Sequence, residues 1–286
     1  MKLNKAQKRK VIAKLMRTAS GRIQIAAAMQ EPLREYRDYV SVGRRAFMVD
    51  ELEDGALPYY DKDADVVAYV IGEEGQDVMS VVKGERVFVP MFEIATNPTI
   101  PFTKIRERKY DVENRVKVKA KSEVFRVEDE KIFDMFSTIV NDVDAENELV
   151  TESEANVSID DFSSAIGEVE QWGDVRCAMI FMNPANMKIV RKIGKDYFDP
   201  ITSNEVLRTG WMGSLFGAQI HTSGTIAKDE IYFTAEPEFF GVLAVGIDLT
   251  ILSADEPSKR QIGFSVFEQI GFLVSNRNGI AGLKIT

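Results

Sequence analysis

Near the C-terminus, Ile262, Phe264, Val266, Ile270, Phe272 and Val274 occupy every second position, and Glu268 alone breaks the alternation. A period of two over such a span is a β-strand with one dry face. A strand this long cannot stand alone and needs a sheet to receive it. The segments before it supply one: Arg176–Phe181, Phe216–His221, Glu230–Thr234 and Val242–Leu252 all read as strands. Helices alternate with them. Ser158 followed three residues later by Asp161 opens one that carries Ile159, Phe162, Ile166 and Val169 on a single side. Asn183-Pro184 caps and starts another, which Gly194 is expected to end. The C-terminal half is thus a mixed sheet flanked by helices.

The N-terminal half is built differently. From Lys2 to Arg22 every charged residue is basic, and Leu3, Val11, Ile12, Leu15 and Met16 recur at roughly helical spacing, which reads as a basic amphipathic arm. Met29–Tyr39 adds a helix broken at Pro32, and Val42–Leu52 leads out of it. Ala64–Ile71, Asp77–Lys83 and Arg86–Ile94 then form a long hairpin studded with Asp61, Asp63, Glu73, Glu74 and Glu85, so much of it projects into solvent or onto a neighbour. Arg115–Lys121 alternates apolar and basic residues and is expected to be a strand. A long helix over roughly Ser122–Val140 follows, with Ser122 as its cap and Ile132, Phe136, Ile139 and Val140 as its apolar stripe opposite Glu130 and Asp134. The acidic stretch Asp142–Asn156 is taken as the joint between two domains.

With 286 residues, 45% of them hydrophobic, the chain can bury a core without staples. Its one cysteine, Cys177, excludes an intramolecular disulfide and fits a reducing compartment. No stretch approaches the roughly 20 apolar residues of a membrane span, so no membrane partner is expected. The net charge of -9 argues against a dedicated nucleic-acid binder. Chemistry is scarce. The one histidine, His221, and Cys177 sit in or beside apolar strands, and no nucleophile elbow, dinucleotide fingerprint, phosphate loop or His/Cys ligand cluster occurs. Asp61-Lys62-Asp63-Ala64-Asp65 starts like a calcium loop, but Val66 replaces the turn glycine and no glutamate closes it, which leaves a solvated acidic turn. The expectation is a non-enzyme with no catalytic residue, no cofactor and no metal, whose architecture leans towards self-assembly.

The order of elements resembles the major capsid protein of tailed bacteriophages, the Hong Kong 97-type fold. The stretches that carry this are MQEPLREYRDYVSVGRRAFMVDEL, SEVFRVEDEKIFDMFSTIV, FMNPANMKIVRKI, LRTGWMGSLFGAQIHTS, FFGVLAVGIDLTIL and QIGFSVFEQIGFLVSN, in that order over nearly the whole chain. The resemblance implies an α+β chain with an N-terminal arm at 1–53 and an extended β-hairpin loop (E-loop) at 54–90. A peripheral domain with a long spine helix is implied at 91–140, joined by return strands at about 226–254. An axial α/β domain is implied at 141–225 and 255–286.

It also implies hexamers and pentamers closing into an icosahedral head around double-stranded DNA, held at the inner surface without sequence specificity. The subunit would be made in the host cytoplasm and end in the virion, with separate scaffolding, portal and decoration proteins. Assembly contacts are expected at Asp61, Lys62, Asp63, Glu73, Glu74, Lys83 and Glu85 of the loop, at Lys8, Arg9 and Lys10 of the arm, and at Arg44 and Arg45. Lys62 and Lys83 are the loop lysines available for an isopeptide crosslink of the kind some members form, with no partner asparagine identified. Two alternatives have other consequences: an encapsulin-type shell around protein cargo, which the basic arm disfavours, and an α+β enzyme whose site would consist of carboxylates, lysines and hydroxyls alone.

Overall fold

The computed structural model describes residues 38–53, 55–62, 85–103, 112–142, 144–154, 156–173, 175–197 and 213–286. The basic arm, the helix expected over Met29–Tyr39 up to position 37, and the outer hairpin strands Ala64–Ile71 and Asp77–Lys83 lie outside these residues. The chain divides into two units, one of residues 1–40, 95–125 and 249–267, the other of 41–94, 126–248 and 268–286.

A six-stranded sheet lies within the second unit. Its order is β6 (Val150–Glu152), β13 (Ile280–Ile285), β10 (Glu230–Ala235), β7 (Cys177–Met182), β9 (Ala218–Thr222) and β8 (Ser214–Leu215). All six residues of β10 are buried, because it runs between two neighbours and is covered on both faces. Tyr232 packs on Phe133 and Phe136 of helix α1 (Val112–Val140), while Phe233 meets Phe162 of helix α2 (Ile159–Glu170). α2 opens as its sequence foretells: the Asp161 carboxylate accepts from the Ser158 N–H at 2.7 Å and from its hydroxyl at 2.9 Å, and Phe162, Ile166 and Val169 are buried.

The second sheet runs β1 (Met48–Glu51), β11 (Gly241–Ser253), β12 (Gln261–Val274) and β4 (Phe92–Thr96), with β5 (Thr99–Pro101) also pairing β12. β1 and β11 are parallel, Met48 opposite Val242. β12 is the long strand expected from its alternation. The strands expected to return to the periphery between 226 and 254 separate: β10 joins the six-stranded sheet and β11 the second one. β12, from the stretch assigned to the axial part, pairs with β11.

Five expectations are corrected. Arg115–Lys121 is not a strand, and Ser122 caps nothing, since both lie inside α1. Val116, Ala120 and Val124 are four residues apart, so the same residues that alternate over a short window also continue the buried series Ala120, Val124, Glu128, Ile132, Phe136 and Val140 of one helix. Gly194 lies inside helix α3 (Met187–Tyr197) rather than after it. Phe216 and Gly217, with φ of 51° and 91°, turn the chain between β8 and β9, so the strand begins at Ala218. The acidic stretch after α1 is not a joint: residues 126–248 belong to one unit, and Asn147 donates to the carbonyls of Asn278 at 2.9 Å and Ile280 at 2.6 Å.

Two predictions follow from this packing. A Cβ on Gly241 would sit 2.3 Å from the Leu273 carbonyl oxygen and 3.0 Å from the Val274 Cα, both backbone. Gly241→Ala should therefore cost about 2–3 kcal/mol in denaturant unfolding, since neither strand can give way. The Glu230 carboxylate accepts from the Tyr232 hydroxyl, from Asn141 Nδ2 at 2.9 Å and from Ser137 Oγ at 3.3 Å. Burial alone would raise its pKa, but these donors and Lys284 hold it below the ordinary 4.5. The stabilisation it contributes is thus present above that value and lost as pH falls through the folded pKa. Glu230→Gln should flatten the acid limb of a stability profile, and an unchanged limb would show that Glu230 does not govern it.

Candidate assembly determinants

The chain from Ser41 to Phe47 is fixed by adjacent carboxylates of α1. Asp129 accepts from Ser41 Oγ at 2.7 Å, Val42 N at 2.9 Å and Gly43 N at 3.0 Å, and so holds the start of the 3-10 turn Gly43–Ala46. Gly43 is needed there, because a Cβ would lie 2.9 Å from the Asp129 Oδ1 and 3.0 Å from Ile132 Cδ1. Glu128, one residue earlier, accepts from Arg44 Nε at 2.5 Å, and Glu268 of β12 accepts from Arg44 Nη2 at 2.9 Å. Both glutamate side chains are fully buried and Arg44 is 24% exposed. Burial would lower the Arg44 pKa, but Glu128, Glu268 and Asp248 raise it above its ordinary value. Phe47 completes the attachment by packing against Phe136, Phe240 and Phe272.

A short antiparallel ladder follows β1 in the chain. It is an antiparallel pair, β2 (Tyr59–Lys62) with β3 (Glu85–Phe88), in which Tyr59 is opposite Phe88, Tyr60 opposite Val87, Asp61 opposite Arg86 and Lys62 opposite Glu85. The Tyr60 hydroxyl donates to Asp50 at 2.7 Å and ties the ladder to β1; burial and that carboxylate raise its pKa. Asp61 and Arg86 pair at 2.8 Å in solvent, a contact of little energetic weight. The apolar side chains here are less covered. Leu57, Tyr59 and Phe88 are 67%, 55% and 49% exposed, and Leu57 and Phe88 line an open groove with Leu52, Met91, Ile247 and Gln269.

Of the residues expected at assembly contacts, Asp61 lies in β2, and Lys62 and Glu85 end the described part of the hairpin. Arg45 is exposed on the 3-10 turn, whereas Arg44 is engaged within the chain. Asp63, Glu73, Glu74, Lys83, Lys8, Arg9 and Lys10 lie outside the described residues. Sequence reasoning passed over Glu128, Asp129 and Glu268 as structural anchors. Two signals pointed to them: Glu268 breaks an apolar alternation, and Glu128 stands midway between Val124 and Ile132 on the buried stripe.

Cys177 and His221 are not brought together. His221 pairs with Phe181 in the parallel register of β7 and β9, four residues beyond Cys177, which puts them about 13 Å apart along the strands. Burial and, to a lesser degree, Glu170 push the Cys177 thiol up to about 12, and burial and Arg45 lower the His221 pKa. Neither change favours a thiolate-imidazolium pair.

Arg44 is the cation shared by two buried carboxylates, so Arg44→Met should lower stability by about 3 kcal/mol. Replacing Glu128 and Glu268 by Met as well should recover most of that loss, because it removes the buried acids left without their cation. Chemical denaturation of the single and triple variants checks this; a triple variant no better than the single one would show that packing, not charge, dominates.

No family model matches the sequence, and no curated protein does. Solved structures do. A chain of Microbacterium phage Oxtober96 aligns over 94% of this chain and 99% of its own, with a TM-score of 0.68 at 14% identity. The capsid of a native GTA particle aligns over 90% and 96% with a TM-score of 0.64 at 17% identity. The mature capsid of bacteriophage PhiM1 covers 90% and 91% with a TM-score of 0.64 at 12% identity. At these identities what is shared is the fold, and the fold of this chain is the Hong Kong 97-type capsid fold.

Proposed function

We propose that this chain is the structural major capsid subunit of a tailed-phage head, which assembles through hexamers and pentamers into an icosahedral shell around double-stranded DNA. The observation that carries this reading is the extent of the shared fold, which takes in about nine-tenths of this chain and of the chains from the GTA and PhiM1 capsids. The exposed apolar base of the hairpin supports it, since a monomer has no use for Leu57, Tyr59 and Phe88 in water. In this reading 1–53 is the arm, 54–90 the loop that crosses a neighbour, α1 the spine helix, and the six-stranded sheet the axial core. The role is structural rather than catalytic. DNA is held by charge without base readout, scaffolding and portal functions come from other chains, and the subunit resides in the virion.

The hairpin provides the test. Lys62 and Glu85 face each other in register, so residues 63–84 can be replaced by Asn-Gly, a two-residue turn that closes such a pair. Electron microscopy of the purified wild-type protein should show closed particles, and their absorbance should report nucleic acid in particles from a phage-producing host. The shortened chain should keep its circular dichroism spectrum and melting temperature yet form no shells. Normal shells from the shortened chain would remove the loop from assembly. Wild-type particles filled with protein and free of nucleic acid would favour the encapsulin-type alternative.

A further inference from the structure

The attachment of Ser41–Phe47 places ionisable groups where water does not reach. Glu128 and Glu268 are fully buried on either side of Arg44, and Asp129 follows Glu128 on α1. Glu128 uses Oε1 for Arg44, while its Oε2 is buried with no hydrogen-bond partner among the described residues. A dehydrated carboxylate with unused acceptor capacity is strongly penalised when ionised. We infer that Glu128 is a proton-operated latch: with a proton on Oε2 it lets the Ser41–Phe47 segment lie closed on α1 and β12, and when ionised it loosens that segment.

Among the described residues, the charged groups that face the latch come from three elements. Arg44 approaches from the 3-10 turn, Asp129 from α1 itself and Glu268 from β12, while Asp248 of β11 acts on Arg44. Burial pushes the Glu128 carboxyl up to about 7, Arg44 opposes that, and Glu268 and Asp129 reinforce it. Arg44 stays charged throughout, so the proton on Glu128 is the variable. A proton on Oε2 leaves Oε1 free to keep accepting from Arg44, so charge is removed without breaking the contact. The sign follows from the raised pKa. Between the ordinary 4.5 and about 7 the closed state holds a proton that the open state releases, so closure weakens as pH rises through that window.

The consequence falls on Ser41–Phe47 itself, whose hydrogen bonds and packing on α1 and β12 closure maintains. The latch does not depend on the capsid reading, since it belongs to the single chain.

Hydrogen exchange read by mass spectrometry on the unassembled full chain, at about pH 6 and about pH 8.5 and corrected for intrinsic rates, tests it directly. Backbone amides of 43–47 should lose at least about tenfold protection at the higher pH relative to amides of α2, which has no part in the cluster. Glu128→Gln should abolish this difference. Glu268→Gln should move the transition to lower pH, because it removes a neighbouring negative charge. Equal protection at both pH values in the wild type, or a loss that Glu128→Gln retains, overturns the latch. Should Glu128→Gln fail to fold, Glu268→Gln decides: an unmoved transition also overturns it.

Discussion

One guanidinium joins parts of the chain that are far apart in sequence. Arg44 reaches Glu128 across 84 positions and Glu268 across 224. The pairing specifies more than it stabilises, since two buried carboxylates and one arginine barely repay their dehydration. What it sets is alignment. Glu268 stands on the core face of β12, so a slip of that strand by one residue would turn Glu268 outward, bury Gln269 or Phe267 in its place and leave Arg44 facing the wrong side chain. Asp129 acts in the same way on the incoming chain, where it satisfies two backbone N–H groups that have no strand partner. Adjacent carboxylates on one helix thereby fix both the entry of the chain and the register of its longest strand.

The alternation that makes β12 legible carried this information as its one exception. A glutamate in a dry row is a request for a buried partner, but which of 36 basic residues answers is decided by tertiary contact and cannot be read from a single sequence. Other elements were legible for local reasons. The Ser158 and Asp161 pair opens α2 because its hydrogen bonds span three residues, and the strand at Cys177–Met182 needs nothing beyond its own apolar run. The first half of α1 was hidden because periods of two and of nearly four coincide over Val116–Ala120; lysine, arginine and alanine, all good helix formers, were the better guide. The acidic stretch after α1 looked solvated because Asn147, which holds it down, bonds to backbone carbonyls over 130 residues away, and these carry no side-chain signature.

The hairpin base divides its labours by face. Tyr60 points inward to Asp50 and anchors the pair, while Tyr59 and Phe88 stack at 5.3 Å between ring centroids with about half of each surface in water. Successive residues on one short strand thus face the interior of the chain and the solvent separately, as the pleat dictates. The solvent-exposed Asp61 and Arg86 pair beyond them adds polarity at little cost or gain.

The order of strands has a consequence for biosynthesis. The partners of β12 and β13 are β4, β5, β6, β10 and β11, whereas both strands themselves lie within residues 261–285, after all of those partners. Until those residues have left the ribosome, β10 lacks one of its two neighbours, β6 lacks its partner and Arg44 lacks Glu268. Domains otherwise fold as they emerge. Here the topology withholds both completed sheets until those two strands have been made, so a chain that stops short of them presents neither sheet in its final form.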